Sequence, residues 1–182
     1  MGCRNWQRLL SGSAHRAQGL VCPQRGGRKG CDHKIRRNQC RKPEQMRAKV
    51  LSVDSMEPIS RGGGIKSYPF FGEWTGAEQL VSGMSVFPPG TVIVEHTHNV
   101  EEIVVVIGGQ GNAIIDGEVF PVKAVSTTWI PAEVPHYFEN TGEGDLTILW
   151  FYGEIEVVRK IVATGEVIPH LSTRDRSIAA SS

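Results

Sequence analysis

Four side chains stand out for the chemistry they could do together: His96, His98, Glu102 and His136. One residue separates His96 from His98. In a β-strand, residues two apart project from the same face, about 6.6 Å apart, so two imidazoles on one rigid stretch can converge on a single ion. Glu102 lies four residues further on, too far along a straight strand. A bend at Asn99-Val100-Glu101 would return its carboxylate to the same point. His136 comes from much later in the chain and follows Pro131 and Pro135, which restrict its approach. Three imidazoles and one carboxylate make a mixed nitrogen and oxygen donor set. It suits one divalent transition metal ion (Fe, Mn, Ni or Zn) and leaves cis positions open for water, substrate or O₂. A His-x-His pair alone also occurs as unrelated polar residues on exposed strands. The joint spacing with Glu102 and the proline-bracketed His136 carries the metal reading.

Around this set, Phe138 shares strand parity with His136 and is a candidate pocket aromatic. Trp150 and Arg159 are the other pocket candidates. Arg159 and Lys160 are the only Lys or Arg between Lys123 and Arg174. Pointing inward, Arg159 could hold a carboxylate substrate; pointing outward, the pair would protect a strand edge with charge. Phe87, Trp129, Tyr137, Phe151 and Tyr152 are strand aromatics expected in the core or at an interface between two copies. His170 and the tail 172–182 read as disordered. The residues alone identify no catalytic group beyond the metal set.

The elements that must position these residues are short strands. From residue 79 onward the pattern is β: 79–87, 91–98, 102–107, 111–115, 118–122, 127–130, 136–139, 145–152 and 156–163. Gly, Pro and Asn punctuate them, and no segment sustains a helical period. Asp116-Gly117 is a hairpin dipeptide of the kind that supplies positive φ to a type I′ turn. Val92, Val94, Val104 and Val106 are expected in the core. Residues 46–78 are mixed, with Arg61-Gly62-Gly63-Gly64 a flexible turn and Tyr68-Pro69-Phe70-Phe71 an apolar patch. No internal repeat appears, so one all-β barrel or sandwich is expected.

The spacing resembles the two motifs of the cupin superfamily. The first runs Gly, five residues, His-x-His, three or four residues, Glu, six residues, Gly, and here reads Gly90, His96, His98, Glu102, Gly109. The second runs Gly, five residues, Pro-x-Gly, two residues, His, three residues, Asn. Here it keeps Pro131, His136 and Asn140 but has Val125 and Glu133 where glycines belong. The resemblance spans about residues 79–155. It implies a double-stranded β-helix, or jelly-roll, of RmlC-like type that pairs into a homodimer, with the metal site inside a sandwich open at one end. It also implies a metal-dependent enzyme of dioxygenase, decarboxylase, isomerase or lyase type acting on a small molecule. The alternative is a non-catalytic binding or sensor module, which as a gene regulator would normally carry a helical DNA-reading domain.

The whole chain divides in composition near Met46. Residues 1–45 hold eleven Lys or Arg against two acids, and residues 46–182 nine against seventeen, so a net charge of +1 hides segments of +9 and −8. All four cysteines lie in the first segment, with gaps of 18, 8 and 8 residues that do not match a zinc module. That segment is too poor in β-branched residues to bury a core. It also lacks the aromatic interleaving of a nucleic-acid arm. Met46 is expected to open the domain proper, residues 46–182 with a core about 79–163. Residues 1–45 are expected to be a disordered basic extension, either upstream translated sequence or a transit-type peptide. The cysteine-free domain suits the cytoplasm, or an organelle if residues 1–45 direct it there. No apolar run reaches membrane-spanning length, and neither membrane nor nucleic-acid partners are expected.

Overall fold

The computed structural model describes residues 48–178; the proposed extension 1–45 lies outside them. Alternating apolar and polar residues in short runs give strands with one face to bury, and twelve such strands form two six-stranded sheets. In chain order they are β1 (Ile59–Ser60), β2 (Lys66–Phe71), β3 (Val81–Phe87), β4 (His96–His98), β5 (Glu102–Gly108), β6 (Gln110–Ile115), β7 (Glu118–Lys123), β8 (Thr127–Ile130), β9 (His136–Glu139), β10 (Leu146–Tyr152), β11 (Val158–Ile161) and β12 (Val167–Pro169). The first sheet is ordered β1-β2-β3-β10-β5-β8 and the second β12-β11-β4-β9-β6-β7. Every pairing is antiparallel. This is the all-β jelly-roll expected.

The core lies between the sheets. Val104 and Val106 of β5, Leu146, Ile148 and Trp150 of β10, and Phe138 of β9 interlock there. Gly83 lets this happen on β3: a Cβ there would sit 2.2 Å from the Trp150 ring. The Asp116-Gly117 hairpin forms as expected, both residues having positive φ (51° and 77°).

Three expectations are corrected. The strand expected over 91–98 pairs as a strand only at His96–His98, and Val92 is 54% exposed rather than core. The chain is crossing here from β3 in the first sheet to β4 in the second, so residues 91–95 belong fully to neither. The "mixed" segment before residue 79 contains β2, whose ladder with β3 shifts register between Pro69 and Phe71; a proline lacking N–H fits such an irregularity. The tail is ordered through a helix α1 (Thr173–Ile178), and His170 is packed inside.

Asn140 fastens the turn that closes the second motif. Its Nδ2 donates to Phe87 O (2.7 Å) and Gly144 O (2.8 Å), and its Oδ1 accepts from Gly142 N (2.8 Å). A buried amide with its donors and acceptor all used holds β9 and β10 against the end of β3.

Candidate metal centre

Strand pairing brings the histidines together. His96 and His98 share one face of β4, and His96 stands opposite His136 of β9 in register. After His98 the chain bends, and the bend is pinned to the start of β11. Asn99 Nδ2 donates to Glu156 O (2.9 Å), and Val158 N donates to Asn99 Oδ1 (2.8 Å). The bend carries the chain into the other sheet, so Glu102 approaches from β5, across the sandwich from the histidines. All four residues are buried.

Each imidazole is oriented by a backbone carbonyl. His96 Nδ1 bonds Val94 O (2.7 Å), His98 Nδ1 bonds Val158 O (2.9 Å) and His136 Nδ1 bonds Val134 O (2.8 Å). A carbonyl only accepts, so each Nδ1 carries a proton, and Nε2 is the nitrogen each ring turns toward an ion. One ligand nitrogen from each ring lies within 4.8 Å of the others. This is the tautomer and orientation a metal-binding histidine needs.

Glu102 completes the arrangement without belonging to the same tight group. Its Oε2 is 2.9 Å from His136 Nε2 and 4.0 Å from His98 Nε2. Neither Glu102 Oε2 nor His136 Nε2 has a hydrogen-bond partner, though both are buried. A carboxylate oxygen facing a bare ring nitrogen repels it unless a proton or cation lies between them. The donor set and these orphaned atoms therefore fit a divalent ion.

The local electrostatics agree. Burial, reinforced by Arg159 and the neighbouring imidazoles, holds His96 well below the ordinary histidine pKa. Burial also lowers His98 to about 4, although Glu102 opposes it. Burial pushes Glu102 up; a positive charge shared with His136 and His98, as a proton or a bound cation would supply, outweighs burial and pulls the carboxyl below its ordinary value. Neutral imidazoles beside a carboxylate are what a metal requires.

The pocket candidates line one cavity with these residues. Phe138, Trp150 and Arg159 are all buried in its wall. Arg159 stands opposite His98 in the β4–β11 register and turns inward, whereas Lys160 is exposed. Sequence reasoning missed four further groups. Tyr152, read only as a core or interface aromatic, has its hydroxyl 3.0 Å from His98 Nε2. Burial and the charge of Glu102 keep that phenol protonated far above its usual pKa. Arg61, read as part of a flexible turn, is buried and pairs with Asp175. His170, read as tail, packs edge-on against Trp150, Tyr152 and His98, with ring centroids 5.4, 5.1 and 5.5 Å away. Tyr152 was findable, since it stands two residues from Trp150 on one strand face. The other three, Arg61, His170 and Asp175, come from distant turns and from α1 and carry no spacing signal. The open centre of the cavity is about 40 Å³, room for roughly three waters at ~10–15 Å³ each.

Comparison with known proteins bears on the same stretch. A family model for the cupin domain matches residues 83–152. The chain is 32% identical over 108 residues to the polyketide synthase CurC of Streptomyces cyaneus, spanning 59% of this chain and 70% of that protein. Among solved structures it superposes on the polyketide cyclase RemF of Streptomyces resistomycificus with a TM-score of 0.56 and 18% identity, covering 71% of this chain and 90% of that one. It superposes on a predicted oxalate decarboxylase from Thermotoga maritima with a TM-score of 0.52 and 24% identity, covering 58% and 99%. At these identities the structural matches speak for the fold. Among the described residues no helix is long and apolar enough to cross a membrane.

Proposed function

The chain belongs to the cupin family, and we propose that it is a metal-dependent enzyme acting on a small anionic or carbonyl-bearing metabolite. One observation carries the reading: three imidazoles tied by Nδ1 to backbone carbonyls turn their Nε2 atoms together beside an unpartnered carboxylate oxygen. His96, His98, His136 and Glu102 would hold one divalent Fe, Mn, Ni or Zn ion. When bound, the ion supplies Lewis acidity toward a substrate oxygen, or an O₂ site beside it.

The chain's own residues supply the rest. The Tyr152 hydroxyl, kept protonated, donates a hydrogen bond to an oxygen seated beside His98. Arg159 offers positive charge to an anionic group. Phe138 and Trp150 exclude water, which strengthens both contacts. Dioxygenase, decarboxylase, isomerase and lyase chemistries all use such a site. The likeness to CurC raises polyketides as a competing substrate class. The small cavity centre favours a molecule of only a few heavy atoms.

The test is elemental analysis of protein purified without chelator, followed by an oxygen-uptake and product screen over small acids. The full chain should carry about one metal per protomer, and His98→Ala and Glu102→Ala should lose both metal and turnover while circular dichroism stays β-rich. A 137-residue domain with this core stands without the ion. Full metal and turnover in Glu102→Ala would remove the carboxylate from the site.

We also propose a homodimer formed through the outer face of the first sheet, in a cytoplasmic setting that suits a cysteine-free domain. Phe151, Ile103 and Trp129 are cross-strand neighbours in register and 40%, 46% and 60% exposed. An apolar row of that kind on a sheet face suits a second copy better than water. Light scattering should read twice the chain mass, and Trp129→Glu should halve it. A parent chain that reads as monomer removes the proposal.

A further inference from the structure

Two buried guanidiniums meet at one carboxylate beside the histidine cavity. Arg61 follows β1 and Arg159 lies on β11; they are 4% and 3% exposed. Arg61 Nη1 donates to Asp175 Oδ2 at 2.5 Å, and Arg159 Nη1 donates to Asp175 Oδ1 at 3.0 Å. The amide of Leu171 also donates to Oδ2 (2.8 Å), so both oxygens of Asp175 are committed. Among the described residues, the ion pairs of both arginines end on this one carboxylate. Two positive charges therefore share one negative charge inside the fold, an arrangement that is costly unless another anion joins it. Glu102 does not serve, because it abuts His136 and His98.

The unpartnered polar atoms point the same way. Arg159 Nε is buried without a hydrogen-bond partner, and so are both ring nitrogens of His170, whose Nδ1 lies 3.7 Å from Asp175 Oδ2, beyond hydrogen-bond reach. Both residues line the cavity. Arg159 Nη2 makes only a long approach, 3.5 Å, to His96 Nε2. Orphaned buried donors are rare in folded proteins, and here they gather on one cavity.

We propose that Arg159, backed by Arg61 and flanked by His170, is a carboxylate-binding subsite, and that Asp175 is a positioning residue holding both guanidiniums from the C-terminal segment. The ligand class is a small 2-oxo or 2-hydroxy carboxylate. Its carboxylate takes the free donors of Arg159, and its neighbouring oxygen faces the histidines. The 3.5 Å between Arg159 Nη2 and His96 Nε2 lets one such molecule reach both. The subsite rests on the reading of this cavity as the place where substrate binds.

Pyruvate and its neutral analogue pyruvamide, titrated calorimetrically into the full chain with and without chelator, test the subsite. Metal content of every variant is read separately. Pyruvate should bind at least about tenfold more tightly than pyruvamide, because only the acid offers a charged partner to the fork. Arg159→Gln should abolish that preference, and Arg159→Lys, which keeps the charge beside Asp175, should weaken pyruvate about tenfold. Both should keep their metal. Asp175→Asn should weaken pyruvate, and Asp175→Glu should recover part of the loss. The exposed Lys160→Gln should change nothing. The proposal is overturned if pyruvamide binds as well as pyruvate, if pyruvate does not bind at millimolar concentration, or if a folded Arg159→Gln binds pyruvate like the parent. Should Arg159→Gln fail to fold, unchanged affinity in Arg159→Lys overturns it equally. A chain that carries no metal yet binds pyruvate through Arg159 would sink the histidine reading and leave the subsite standing.

Discussion

At Val125 and Glu133 the side chain and the backbone disagree. Both sit where the family's motif has glycine, and both adopt the left-handed conformation, with φ of 74° and 62°. The turn has kept its shape while losing the residue that makes it easy, at about 1–2 kcal/mol for each non-glycine residue so placed. Glu133 has reason to stay in that shape: its N–H donates to His98 O at 2.7 Å, tying the turn to the strand of histidines. Its side chain is exposed and accepts one long bond, 3.4 Å, from Thr97 Oγ1. Glu133→Gly removes the strain, gives back some of it as unfolded-chain entropy, and loses little else. The expected outcome is a net gain of up to about 1 kcal/mol in urea denaturation, with metal content unchanged. A variant less stable than the parent would show that the Thr97 contact outweighs the strain.

The elements divide by how local their causes are. Strands β3 and β5 to β10 were legible because each has its own alternation and its own turn residues, Asp116-Gly117 being the plainest. The two histidine-bearing strands were legible through spacing, and the bend before Glu102 followed from the distance its carboxylate must travel. What was not legible depends on which sheet the chain is entering. Residues 91–95 look like strand, but they are the crossing from β3 to β4, and Val92 ends up exposed. β2 was hidden by Pro69, which pairing tolerates through a register shift. The C-terminal segment was the largest loss. His170 and Asp175 stand in a segment with no periodicity, and only residues distant in sequence give them a reason to be inside: Trp150, Tyr152 and His98 for the one, Arg61 and Arg159 for the other. The direction of Arg159 was open for a related cause. Strand parity says that Arg159 and Lys160 face opposite ways, but only the register with His98 says which one faces in.

Across the whole molecule, the sandwich surrounds its most polar residues with its core, and this makes stability depend on acidity. In the unfolded chain a histidine titrates near 6.5 and a glutamate near 4.5. Folding lowers His98 to about 4, chiefly by burial, and lowers His96 and His170 in the same direction for the same reason. Between those values the unfolded chain holds protons that the folded chain refuses, so acidification favours unfolding. The contribution is fully present above about pH 6.5 and is lost as pH falls through the histidine window toward 4. For His98 alone the drop from 6.5 to about 4 is worth about 3 kcal/mol at ~1.4 kcal/mol per unit. Glu102, also lowered, adds a loss of the same sign below its unfolded value. Asp175, held far below the usual carboxylate range by Arg159 and Arg61 against the effect of burial, keeps its latch ionised through that whole range. Urea denaturation of chelator-treated protein should therefore show a midpoint that is flat from pH 8 to about 6.5 and falls steadily below it. Adding the metal should raise the midpoint at neutral pH and steepen the fall, because protons and the ion compete for the same Nε2 atoms. A metal-free midpoint that does not move between pH 6.5 and 4 would mean that these imidazoles are not buried together in the folded chain, and the sandwich as described would be wrong at its centre.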